Sequence, residues 1–303
     1  MKFQLLYFSI LLLVAACNPS QPTQNQTTEL AEPVEEAPEP TTPPAAAATV
    51  EPVVLPSGDD KMFVGPFVAV DYDENRNISY SNKITLAIRS LENGIVKGYS
   101  VVAGNSRPFE GTYTEKDGTI DATASEPGDD KYDGVFTFRW QRGSSTLTGT
   151  WKANNTKLGV TKRKFTLEQR VFRYDANLEL SDSGIAGIDL YNTLRESEGD
   201  ADMAEILTED AEKFNASKVL LRKADVENMH KGDLEVTRNA IYARHGYSFK
   251  NRRMRYLFDS YVDWYMPVST DVSRQFTELE RKNIELLKRY EQHAASYYDS
   301  FGR

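Results

Sequence analysis

Arg238-Asn239-Ala240-Ile241-Tyr242-Ala243-Arg244-His245-Gly246-Tyr247-Ser248-Phe249 is the stretch from which the second half of this chain is read. From Asp233 to His245 there is neither Gly nor Pro, and Leu234, Arg238, Ile241 and His245 recur at four, three and four residues. That spacing predicts a helix with Arg238 and His245 on the same stripe as two apolar residues. Asp233 is the expected N-cap, and Gly246 stands where a helix end needs positive φ. Polar groups on a core-facing stripe must be paired or wet, so the helix calls for partners.

One partner is expected from the last helix. Thr277-Glu278-Leu279-Glu280 reads as a capping box, with Thr277 at the N-cap and Glu280 at the third helical position. Leu279, Leu286, Leu287, Tyr290, Ala294 and Tyr297 then make an apolar face, and Asn283 falls on it. The reading is a structural polar network of Arg238, Asn239, His245 and Asn283, with the buried Asn283 facing a buried Arg or His.

The segment from about Lys218 to Glu291 resembles a YARHG domain, a short module of bacterial envelope proteins. The likeness rests on Tyr242-Ala243-Arg244-His245-Gly246, with Arg238-Asn239 upstream and Tyr247 and Phe249 downstream. Trp264-Tyr265 with Pro267, and Glu280, Lys282, Asn283 and Ile284, extend it across about seventy residues. What the resemblance implies is a small all-α fold and an envelope location, and no particular chemistry.

Outward from this module, residues 1–17 read as a lipoprotein signal peptide. Lys2 is followed by an apolar run too short to span a bilayer comfortably. It ends in Val14-Ala15-Ala16-Cys17, which resembles a bacterial lipobox, so Cys17 is the expected lipidation site. As the sole cysteine it excludes an intrachain disulfide framework and a thiolate zinc cluster. Two or three acyl chains anchor a protein stably. Residues 18–60 hold nine prolines, eight acids and no Lys or Arg, the composition of a disordered Pro/acidic tether. The chain's net charge of −9 is mostly this tether's, and residues 61–303 carry −2.

Residues 61–174 change to period two. Ile84-Leu86-Ile88, Phe136-Phe138-Trp140 and Leu147-Gly149-Trp151 alternate between turn signals such as Glu92-Asn93-Gly94 and Lys116-Asp117-Gly118. Seven or eight such strands predict an antiparallel β barrel or sandwich. Trp140, Trp151, Tyr99, Phe136 and Phe138 read as core, and a small barrel is either packed solid or encloses one small molecule. The fold class expected is therefore α+β multidomain: an N-terminal antiparallel β barrel or sandwich, then a small all-α YARHG module over 218–303.

Between the two, residues 175–217 have two bases and a large excess of acids, and Asp202 to Phe214 has helical spacing, predicting an acidic linking helix. Residues 218–258 reverse the sign, with ten Lys or Arg against four acids. Arg244, Arg252, Arg253 and Arg255 with His245, Tyr247, Trp264 and Tyr265 are the candidate ligand-binding set, a cationic arc with aromatic platforms. Its expected partners are an anionic glycan, peptidoglycan, an envelope protein, or the chain's own acidic segment, and not nucleic acid.

For catalysis the sequence offers little. His230, His245 and His293 have no histidine partner at metal-ligand spacing, and no Walker loop or Gly-x-Ser-x-Gly elbow occurs. No enzyme, metal or cofactor is expected. The functional expectation is a non-catalytic lipoprotein, anchored in the cell envelope by its acyl chains, with the outer membrane favoured and the folded part facing periplasm or exterior. It binds or scaffolds through the YARHG module. The alternative is a small-ligand carrier or inhibitor acting through the barrel, and the remoter one an enzyme centred on His245.

Overall fold

Alternation of apolar and polar residues over 61–169 produces eight strands, each pairing antiparallel with the next. They are β1 (Lys61–Tyr72), β2 (Ser81–Glu92), β3 (Ile95–Val102), β4 (Asn105–Lys116), β5 (Thr119–Ser125), β6 (Gly134–Gln141), β7 (Thr146–Ala153) and β8 (Val160–Gln169). β8 also pairs with β1, with Phe67 opposite Phe165, so the sheet is a closed barrel and has no free edge. This resolves the barrel-or-sandwich expectation. The computed structural model describes residues 60–191 and 205–297. Cys17, the rest of the leader and the tether up to residue 59 lie outside the described residues.

Three of the hairpins turn on two-residue loops with both residues at positive φ: Asn93-Gly94, Ala103-Gly104 and Asp117-Gly118. That is the turn whose twist matches paired strands. Inside the barrel Phe63, Phe67, Ile84, Leu86, Phe109, Phe136, Phe138, Trp140, Leu147, Trp151, Phe165 and Leu167 form one core. Gly149 leaves room for the Phe165 ring, which would lie 2.6 Å from an added Cβ. Tyr99 is also buried, but on the outer surface of the barrel. There it packs with Met62, Val64, Ala87 and Val101 against Met266 and Val268.

The chain leaves β8 and forms a helical half: α1 (Asp210–Lys213), α2 (Lys223–Val226), α3 (Lys231–Arg244), α4 (Arg252–Tyr261) and α5 (Glu278–Tyr297). α3, the helix predicted from the opening stretch, is buried on both sides instead of along one stripe. Val236, Ala240 and Ala243 face a core shared with α4, whereas Leu234 and Ile241 face a second core shared with α2 and α5. Asp233 is not its N-cap, a place held by His230. The Asp233 carboxylate instead accepts the Thr208 N–H (2.9 Å) and hydroxyl (2.7 Å), fastening the preceding segment to α3.

The acidic linking helix is corrected as well. Of Asp202–Phe214 only α1 is helical, and residues 202–204 lie outside the described residues. Ile206 bridges to Asp189 as a short strand pair, because the acids here find fixed donors that a solvated helix would forgo. Glu205 pairs with Arg253 at 3.0 Å, and Glu179 accepts Lys218 and Asn215. No described helix is long and apolar enough to cross a membrane.

Candidate functional site

The expected cationic arc is not an open surface. Arg244 is 2% exposed: its Nε donates to the Leu178 carbonyl at 2.8 Å, and its guanidinium lies 5.6 Å from the Trp264 ring centre. Burial pulls its pKa down to about 10, against the raising influence of Glu179. Trp264 spends its indole N–H on the Glu179 carbonyl, and Tyr265, itself buried, donates its hydroxyl to the Tyr247 carbonyl at 2.7 Å. Arg253 is held by Glu205 and Glu235 and lies over the Tyr191 ring. Arg252 donates to Asn77 and to the Ile78 carbonyl in the β1–β2 loop. The candidate ligand-binding set therefore serves mostly as scaffold. The cations were consumed because acids and carbonyls distant in sequence pack directly against them.

The polar network exists with different partners. Arg238 makes a bidentate pair with Glu291, its Nη2 2.9 Å from Oε2. Asn239 turns its amide to the Glu235 carbonyl one helical turn back. His245 Nε2 donates to Glu280 Oε2 at 2.9 Å while its ring stacks on Tyr174, centres 4.2 Å apart. Asn283 meets neither an Arg nor the His. Its Oδ1 accepts the Leu221 N–H, and its Nδ2 donates to the Ala216 and Val219 carbonyls, so it pins the 216–221 segment to α5.

The cleft sits elsewhere, at one end of the barrel. The β1–β2, β3–β4, β5–β6 and β7–β8 loops gather there around a cavity of about 490 Å³. This lies within the rough 300–1,000 Å³ range of small-ligand sites. Its floor is the last apolar layer of the core, Phe67, Phe136 and Trp151, and its rim is polar. The polar residues arise from the strand alternation. Asn82 is in phase with the inward Ile84, Arg107 with Phe109, Glu126 with Ala124, and Arg163 with Phe165. Each lies at the mouth end of its strand or one residue past it, so a ring of polar side chains replaces the next core layer.

These groups differ in how far they are satisfied. Glu126 accepts from Ser100 (3.2 Å), the Gly134 N–H (2.8 Å) and the Trp151 indole (3.1 Å). Burial pushes its carboxyl up, partly offset by the Trp151 and Gly134 bonds. Arg107 pairs with Asp133 at 3.0 Å and Asp130 at 3.2 Å. Arg163 has no ion pair among the described residues. Its Nη1 donates to the Phe67 and Tyr80 carbonyls and its Nη2 to the Ser79 carbonyl, with its face over Phe67. Burial, then the neighbouring Arg255, brings its pKa down to about 10.

The fourth wall comes from the helical half. Arg255 of α4 lines the cavity, donating to the Lys250 carbonyl and the Ser79 hydroxyl while its buried Nε has no partner. Ser248 accepts the Gly104 N–H at 2.9 Å, gripping the β3–β4 turn. No cluster able to hold a metal ion occurs among the described residues.

Fold and cleft together define a small β barrel with a mouth cavity, closed on one side by a helical module. Residues 212–292 match the YARHG domain family, so the chain carries a YARHG domain that begins within α1, six residues before the region expected from residue 218. No curated protein and no solved structure matches the chain.

Nothing in a motif scan would have found Arg163, Glu126 or Asn82. The available signal was a charged or amide residue at an inward position of an otherwise apolar alternation, four times over.

Proposed function

We propose that this is a non-catalytic envelope lipoprotein whose barrel mouth holds one small molecule, with the YARHG domain forming part of the wall. One observation carries the reading: a cavity of about 490 Å³ with an apolar floor and a polar rim to which α4 contributes Arg255. The stretch Val14-Ala15-Ala16-Cys17 supports the anchor.

Leu158→Trp, a half-buried loop position at the rim, should plug the mouth without entering the strands. Native mass spectrometry with a panel of anionic, neutral and cationic ten-carbon amphiphiles should show one-to-one complexes for the unaltered protein and none for the variant at unchanged Tm. Absence of any complex with the unaltered protein sinks the reading. For the anchor, labelled palmitate should appear in the protein and disappear in Cys17→Ala; equal labelling of both would remove Cys17 from that role.

A further inference from the structure

We infer that the mouth takes an amphipathic anion, its carboxylate or phosphate head against Arg163 and Arg255 and its apolar body over Phe67, Phe136 and Trp151. This rests on the proposed small-molecule site and adds the charge of the ligand. The cavity lining is unbalanced in charge. Four arginines line the cavity, Arg76, Arg107, Arg163 and Arg255, against one carboxylate, Glu126. Arg76 has Asp73 at 3.2 Å, and Arg107 has Asp130 and Asp133. Glu126 faces Ser100, Gly134 and Trp151. Among the described residues, Arg163 and Arg255 have no carboxylate in salt-bridge contact. Asp259, the acid nearest in effect to Arg255, accepts the Lys83 N–H at 2.9 Å.

Arg163 is buried and Arg255 half-buried on the lining of one cavity, where the Arg255 charge disfavours that of Arg163 and both have lost part of their hydration. Carbonyls satisfy part of their hydrogen-bonding capacity but none of their charge. Of the five N–H donors on a guanidinium, three of Arg163 are engaged with carbonyls, and Arg255 Nε is buried without a partner. A planar, multiply donating cation suits the oxygens of a carboxylate or phosphate. Immediately below lies an aromatic floor that an anion without a tail would leave bare. A head alone fits one half of the cavity and a hydrocarbon alone fits the other.

The site is also divided between the two halves of the molecule. Arg163 belongs to β8 of the barrel and Arg255 to α4 of the YARHG domain. An anion bridging them would tie the halves together, and at a fixed concentration the tighter anion should raise Tm more, with the logarithm of its affinity.

Calorimetric titration of the full folded chain with decanoate, decyl phosphate, decanol and decyltrimethylammonium tests the assignment. Expected is about tenfold or greater preference for the two anions over decanol, the scale of one charge-assisted hydrogen bond, with no binding of the cation. Arg255→Met should weaken both anions about tenfold and leave decanol unchanged, and Arg255→Lys should restore part of the loss. Arg163→Met should do the same. If that variant fails to fold, having lost three carbonyl contacts, the Arg255 pair carries the test. Equal affinities for anions and decanol, or an Arg255→Met that weakens decanol as much as the anions, would overturn the anionic ligand and leave a neutral one in the same cavity. No binding by any of the four overturns the cavity reading as well. The ratio of decanoate to decyl phosphate separates a carboxylate from a phosphate source.

Discussion

Glu280 is the residue on which the helical half turns. Its N–H donates to the Thr277 hydroxyl that caps α5, its Oε2 accepts the Thr277 N–H in return together with the His245 ring at the end of α3, and its Oε1 accepts the Tyr174 hydroxyl on the chain leaving the barrel. Burial alone would raise this carboxyl; the bonds from His245 and Thr277 outweigh it and hold the pKa at about 2. A carboxyl depressed on folding contributes stability above its ordinary value of 4.5, and that contribution is lost as pH falls towards 2. Glu280→Gln keeps the shape but removes the charge, leaving His245 with a neutral acceptor. It should cost about 2–3 kcal/mol at neutral pH, measured by urea unfolding, and flatten the stability profile between pH 4.5 and 2. An unchanged acid limb in the variant would mean that another carboxylate controls it.

At the scale of the element, α3 stops because Gly246 follows it at φ 75°. A side chain there would bring its Cβ to 2.3 Å from Val268 Cγ2 and 2.8 Å from the Phe172 ring. The same residue's carbonyl accepts the Val268 and Ser269 N–H groups. The glycine therefore ends the helix and lets the returning chain pass against it. Gly246→Ala combines left-handed strain with that overlap and should lower stability by about 2–4 kcal/mol, read as a drop in thermal midpoint. A loss below half a kilocalorie would mean that the Val268 loop gives way freely. Asn283 works at this scale too, since three main-chain groups of the 216–221 segment depend on one amide.

For the whole molecule the decisive feature is a shared face. Met62, Val64, Ala87, Tyr99 and Val101 point out of the barrel, where water would be expected, and are covered by Met266 and Val268. Lys83 in β2 adds hydrogen bonds to the Phe258 and Val262 carbonyls. With apolar burial worth about 25 cal/mol per Å², such a face makes the halves interdependent. Val268→Asp, a buried site on that face, should lower the urea midpoint seen by barrel tryptophan fluorescence and by helical circular dichroism together. A shift in the helical signal alone would mean that the barrel stands independently.

Much of this was legible in the sequence. Strand alternation and turn residues specified a β domain, Gly246 a helix stop, and Thr277 with Glu280 a capping box, because each depends on neighbours within a few residues. Periodicity could not decide between barrel and sandwich, since closure depends on β8 reaching β1 a hundred residues away. Nor could it say that Glu205 and Glu235 would take up Arg253, that Asn283 would turn to carbonyls, or that Arg255 would reach a barrel loop. The chain by itself determined where charge and hydrophobicity lie along its length. Only the tertiary structure decided which charges meet a counterion and which are left facing a cavity, because Coulomb energy and desolvation depend on distance in space.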